Sequence, residues 1–198
     1  MSPNDTTGPW DNVSDAMDAL DEAGRPQAPS LDGVDPNARQ SGRRLAAIHR
    51  MHLRDIVQAR VLLDRITQGG VGADALVQAI PQMSMTRNYQ TFGNLCGREC
   101  MVLNMHHNIE EQDMFPRLER AGVDGITAVV NKLREEHRVV HALIERLYEA
   151  AVALVEAPTE RAYLDARLVF EQLEAVVKSH FKYEETELEE ALGAFQAI

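Results

Sequence analysis

From residue 40 onward the apolar positions recur three and four apart, the period of a helix with one face turned inward. Leu45, Ile48, Ile56, Leu63 and Ile66 trace such a face and predict a first long helix from about Ala38 to Thr67. Gly69, Gly70 and Gly72 stop it. GADALVQAI then predicts a short helix closed by Pro81. A second long helix is expected from about Met83 to Glu119, with Pro116 near its end, where the missing N–H costs least. Gly122 and Gly125 mark the next turn, and a third helix covers about Ile126 to Val155. Pro158 opens a fourth, in the position a first helical turn prefers, and that helix runs to about Leu192. The fold expected over residues 41–198 is all-α: an antiparallel four-helix bundle with a short inserted helix.

Residues 1–40 break the pattern. They hold five of the eight prolines, and eight acids against two arginines. DNVSDAMDALDEAG has the spacing of a short amphipathic helix, but the segment as a whole reads as an acidic, mobile extension without a catalytic role. The whole chain carries a net charge of −11, which argues against a phosphate backbone or an anionic membrane as partner. No apolar run approaches the roughly 20 residues that span a bilayer. The N-terminus MSPNDTTGPW has neither the basic start nor the apolar stretch of a secretory signal, so a cytoplasmic location is expected. The two cysteines, Cys96 and Cys100, stand four apart and read as small buried hydrophobes in a reduced compartment. Met83, Met85, Met101, Met105 and Met114 read as adaptable packing, with Met101 and Met105 also placed to line a ligand pocket.

The chemistry lies in the histidines. There are seven, at 49, 52, 106, 107, 137, 141 and 180, and each long helix carries at least one. Helices that converge on a bundle axis can present such side chains to one point. Residues four apart share a helix face, and His106 with Glu110, His137 with His141, and His180 with Glu184 have that spacing. Imidazole with carboxylate suits iron, zinc, copper or nickel, whereas magnesium and calcium take nearly all oxygen. One histidine on the first helix and a pair on each of the others make seven ligands, too many for one tetrahedral zinc but suited to two metals joined by carboxylates.

The order H…HxxxE…HxxxH…HxxxE resembles the bacterial branch of the hemerythrin (HHE) family. IHRMHLRDI is similar to that family's first-helix start, MHHNIEEQDMFPRL to its second-helix signature and HFKYEETELEEAL to its last, over about residues 43–192. The resemblance implies two non-haem irons bridged by oxygen and carboxylate. His137, His141 and His180 would hold one iron and His49 and His106 the other, with Glu110 and Glu184 bridging. Counting bonds for two six-coordinate irons then leaves one position on the two-histidine iron for a small ligand. His52 shares a face with His49, and the fit of IHRMHLRDI favours His49. His107 and Glu111 point about 100° away from His106 and Glu110 on a regular helix. The phase of EEQDMFP favours the latter pair and leaves His107 to a supporting or surface role. Glu145, one turn beyond His141, pairs with a nearby arginine or orients His141.

Two departures from the invertebrate oxygen carriers point away from simple oxygen storage. His49 and His106 are 57 residues apart, and the last carboxylate is Glu184 at spacing four rather than an aspartate at spacing five. The activity expected first is decomposition of hydrogen peroxide. The rival is a protein that binds, senses or stores O2 or nitric oxide without turnover. Repair of iron–sulfur clusters, or iron handling, ranks third, because residues 1–40 contain no cysteine. The partner expected is a small molecule (O2, H2O2 or NO), with no nucleic acid and no membrane.

Overall fold

Long runs rich in Ala, Leu, Glu and Arg, with a periodic apolar face, form helices whose stability comes mainly from packing that face. The computed structural model describes residues 10–67, 96–157 and 159–198. Its elements are α1 (Val13–Asp18), a 3-10 turn (Glu22–Gly24), α2 (Pro36–Gly42), α3 (Arg44–Thr67), α4 (Cys96–Ile109), a π-helical turn (Glu110–Met114), α5 (Phe115–Arg120), α6 (Asp124–Glu156) and α7 (Glu160–Ala194). Every regular element among the described residues is helical. The expected short helix in GADALVQAI, the stops at 69–72 and at Pro81, the start of the second long helix near Met83, and Pro158 lie outside the described residues.

The boundaries follow local chemistry. Gly122 adopts φ +70°, the left-handed turn that ends α5, and its N–H donates to Glu119 O at 3.0 Å. Thr159 caps α7 by accepting from the Ala162 N–H at 3.2 Å, so a capping side chain begins that helix. The first expected helix is two: α2 and α3 are separated at Arg43. There α2 lies so close to α7 that a Cβ on Gly42 would collide with the Glu189 backbone, and one on Gly193 with that of Ala38. Only glycine permits that approach. Pro116 does not simply kink the second helix. The turn before it widens, with the Phe115 N–H reaching back five residues to Glu110 O, and Pro116 then falls in the first turn of α5.

Two apolar clusters form the interior. One gathers Leu103, Val140, Leu143, Phe170, Val177 and Phe181 with Ile56 of α3. The other gathers Leu45, Met114, Phe115, Leu118, Leu133 and Leu188. Burying each large side chain contributes about 1.5–3 kcal/mol. The helices α6 and α7, 33 and 35 residues long, contribute to both clusters.

Residues 10–40, expected from composition to be part of a mobile extension, pack against α7 and the first cluster. Ala16 and Leu20 of the short amphipathic α1 are completely buried in the first cluster. Gln172 Nε2 of α7 donates to the carbonyls of Trp10 and Asn12 at 3.1 and 2.9 Å, and Tyr183 Oη donates to Pro26 O at 2.7 Å. Ala28 and Leu31 donate their N–H groups to Glu187 and Glu190 of the same helix. A few apolar residues at helical spacing and a line of backbone acceptors and donors suffice to dock the segment, and average composition conceals both. Among the described residues no helix is long and apolar enough to cross a membrane.

Candidate metal centre

A layer of polar side chains lies between the two apolar clusters. On α3, His49 falls between Leu45 of one cluster and Ile56 of the other. On the second helix, His106, His107 and Glu110 fall between Leu103 and Met114. His137 on α6 lies between Leu133 and Val140, and His180 and Glu184 on α7 lie between Val177 and Leu188. All of these polar residues are at most 7% exposed.

They form two groups, within each of which one ligand atom per residue lies within 4.8 Å of the others: His107, His137 and His180 in one, and His49, His106, Glu110 and Glu184 in the other. Glu110 also reaches the first group. Its Oε1 lies 3.0 Å from His106 Nε2 and its Oε2 lies 3.3 Å from His137 Nε2. Glu184 Oε2 lies 3.3 Å from His49 Nε2.

One of these close approaches is a hydrogen bond, His49 Nε2 with His106 Nε2 at 3.1 Å; the others are not. Both oxygens of Glu110, both of Glu184, and Nε2 of His107, His137 and His180 are buried without a hydrogen-bond partner. Leaving even one such atom unsatisfied costs about 1–3 kcal/mol. Seven within one layer are a set of lone pairs for which a shared cation is the physical remedy. Nitrogen and oxygen donors of this kind fit a divalent transition metal.

The outer nitrogens explain why the inner ones point inward. His49 Nδ1 lies 2.8 Å from Glu185, His137 Nδ1 2.8 Å from Glu111, and His180 Nδ1 3.0 Å from Glu136. His107 Nδ1 lies 2.8 Å from His141 Nε2. With the proton on Nδ1 donated outward, each ring keeps an Nε2 lone pair for the interior. Packing fixes the ring planes as well. His49 stacks on Phe181 at 3.8 Å between centroids, and His107 stacks on His137 at 3.8 Å.

Electrostatics favour binding. Burial holds His106 and His107 well below the ordinary imidazole range and lowers His137 to about 4. These rings are neutral near pH 7 and need lose no proton to bind a metal. Burial alone would lower His49, but the neighbouring carboxylates of Glu184 and Glu185 outweigh it and leave it raised. Burial and the adjacent Glu184 carboxylate push Glu110 well up. Two buried carboxylates this close repel, which a cation between them would relieve.

Six of the seven residues expected from sequence, His49, His106, Glu110, His137, His180 and Glu184, come together in these groups. His141 does not. It is half-buried and stands behind His107, which takes the place expected for it beside His137 and His180. The reason is helical phase. At about 100° per residue, Glu110 lies about 40° beyond His106 and about 60° short of His107, so one carboxylate sits between two adjacent imidazoles. The expectation that leaves His107 to a supporting or surface role pairs each histidine with its own glutamate. His52 is also buried, with its ring 5.0 Å from that of His106 and its Nε2 unpartnered, but it lies outside both groups. Sequence reasoning also missed the outer acids Glu111, Glu136 and Glu185. The doubled glutamate after each HxxxE, Glu110-Glu111 and Glu184-Glu185, was the available signal: the first points inward and the second backs a histidine of another helix.

A helical protein with paired histidine and carboxylate groups buried between two apolar cores belongs to the metal-binding helical bundles. The family model for the hemerythrin HHE cation binding domain matches residues 43–192, and the chain belongs to that family. Comparison with curated proteins and with solved structures gives no match.

Proposed function

We propose that this chain is a hemerythrin-like di-iron protein that decomposes hydrogen peroxide. His107, His137 and His180 would hold one iron, His49 and His106 the other, and Glu110 and Glu184 would bridge them. The observation that carries this reading is Glu110, whose two partnerless oxygens each face a different histidine group. A carboxylate so placed is what two adjacent metals require, and a single tetrahedral zinc would leave one group unused.

The bundle is read as an antiparallel four-helix one. In support, the order in which each long helix contributes to the two apolar clusters reverses from one helix to the next: Leu45 to Ile56, Leu103 to Met114, Leu133 to Val140, Val177 to Leu188.

Paired irons supply a two-electron change that peroxide or dioxygen can use. The protein's part is preparation. Phe115 and Phe181 against the rings exclude water, the outer acids fix the imidazoles, and burial keeps most of those imidazoles unprotonated. The reaction converts two hydrogen peroxide molecules to two waters and one O2. The net charge of −11 supports a small neutral substrate rather than nucleic acid or an anionic membrane, and a cytoplasmic setting fits the two closely spaced cysteines.

The test is iron content with an oxygen-electrode trace. Two irons per chain and prompt O2 release from added peroxide are expected. One zinc per chain would overturn the di-iron reading. Two irons with a long-lived oxygenated spectrum and no O2 release would instead mark a carrier or sensor of O2 or nitric oxide.

A further inference from the structure

Three of the candidate imidazoles are backed by carboxylates, and those carboxylates differ. Glu185 behind His49 and Glu111 behind His137 are 36% and 39% exposed in their side chains, whereas Glu136 behind His180 is 1% exposed. A buried carboxylate needs more than one hydrogen bond to be tolerated. Its second partner comes from outside the matched domain. Arg25 donates from Nε to Glu136 Oε1 at 2.8 Å and from Nη2 to Glu136 Oε2 at 3.1 Å. This is a two-point clamp that fixes the carboxylate plane.

Arg25 is itself held. Its Nη1 donates to Ser179 Oγ at 2.9 Å, and its guanidinium lies 4.6 Å over the Tyr183 ring. The chain on either side of it is anchored by Leu20, fully buried, and by the Pro26 carbonyl bonded to Tyr183.

We propose that Arg25 is a positioning residue of the metal centre: the N-terminal segment docks it on α7, where it fixes Glu136, and Glu136 fixes the ring of His180. This inference rests on the reading of His180 as a metal ligand. The N-terminal segment is then a working part of the site. Within the three-histidine group His180 is supported from inside the protein, whereas the acids behind His137 and His49 are both more than a third exposed.

The experiment compares the full-length wild type with Arg25→Gln, Arg25→Lys and Arg39→Gln, the last breaking a surface ion pair between the same segment and Glu190 of α7. Iron-loaded proteins are challenged with excess chelator while the visible band is followed. Arg25→Gln should release about half its iron about 10–100-fold faster than wild type, the usual cost of losing a group behind a metal-bound histidine, with a shifted band. Arg25→Lys should fall between, and Arg39→Gln should match wild type. Wild-type release and band in Arg25→Gln, or equal acceleration in Arg39→Gln, would overturn the proposal. Should Arg25→Gln not fold, Arg25→Lys decides alone: faster release supports the clamp and wild-type release sinks it.

A second readout needs no iron. In chelator-stripped wild type the His180 Nδ1–H should give a slowly exchanging NMR signal that Arg25→Gln loses, and persistence of that signal would refute the clamp. A wild type that takes up no iron yet shows this loss would overturn the proposed function and leave the Arg25–Glu136–His180 link standing.

Discussion

The histidines of the two groups are supported differently. His180 has behind it a buried acid clamped by an arginine from 111 residues earlier than that acid, whereas His49 leans on Glu185, a third exposed to water. A hydrogen bond to an exposed carboxylate competes with solvent and is screened by salt; one to a buried, arginine-paired carboxylate is not. The lesson is that equal imidazoles need not be equally held. What stands one bond further out decides how rigid each is.

The shared carboxylate offers the severest test of that contrast. Glu110→Ala should abolish binding at both positions, leaving less than about a tenth of the wild-type iron, since the groups lose their common member and Glu184 alone must bridge. Retention of one tightly held iron in that variant would show that the groups are independent.

Next comes the pair that sequence and structure rank oppositely. His107→Ala should remove one iron of the two, while His141→Ala, which takes away only the group behind His107, should weaken that iron by about 10–100-fold and leave it in place at high iron concentration. Elemental analysis across an iron titration separates these outcomes. Greater loss in His141→Ala would restore the sequence-based ligand set.

The metal-free protein sharpens the electrostatic side. Burial holds His106 and His107 far below, and His52 and His137 at about 4, so the folded state refuses protons that the unfolded chain accepts below about 6.5. Stability should therefore fall as pH drops from about 6.5 toward 4. Glu110, raised in the fold by burial and Glu184, opposes this with up to one proton above about 4.5, where the unfolded carboxyl is ionised, and no longer does so below that. The net slope should exceed about 1.4 kcal/mol per pH unit, measured by urea midpoints on chelator-stripped protein. A flat profile would mean that the rings are not buried neutral.

The smallest effect expected is the exposed counterpart of the buried clamp. Glu185→Gln should speed iron loss only a few-fold, and the difference from wild type should shrink further in high salt. An effect as large as that of Glu136→Gln, measured by the same chelator challenge, would erase the distinction between the two supports.

Much of this was legible in the chain. Helical periodicity located the end of the second long helix, both ends of the third and the end of the fourth to within a few residues, since a 3.6-residue period is a local property. Spacing of four identified Glu110 and Glu184 beside His106 and His180. The rank of His107 over His141 was not legible. Both are histidines within reach of the layer, and the choice depends on the azimuth of Glu110 between two adjacent rings and on which of two imidazoles in contact stands inward. The π-helical turn of Glu110–Met114 is likewise visible only in the backbone, as a consequence of Pro116 meeting a packed layer. The contacts of the N-terminal segment are not legible from proline and acid content, which describe its average, because they depend on Ala16, Leu20 and Arg25.

The sequence by itself determined the helical class, the family and the residue types of the candidate site, because periodicity, spacing and ligand chemistry are carried by short stretches of chain. Tertiary structure alone decided which imidazoles face inward, which acid is shared, and that Arg25 closes the site from outside the matched domain. Those outcomes depend on distances between residues up to 111 positions apart, which packing sets and no local pattern encodes.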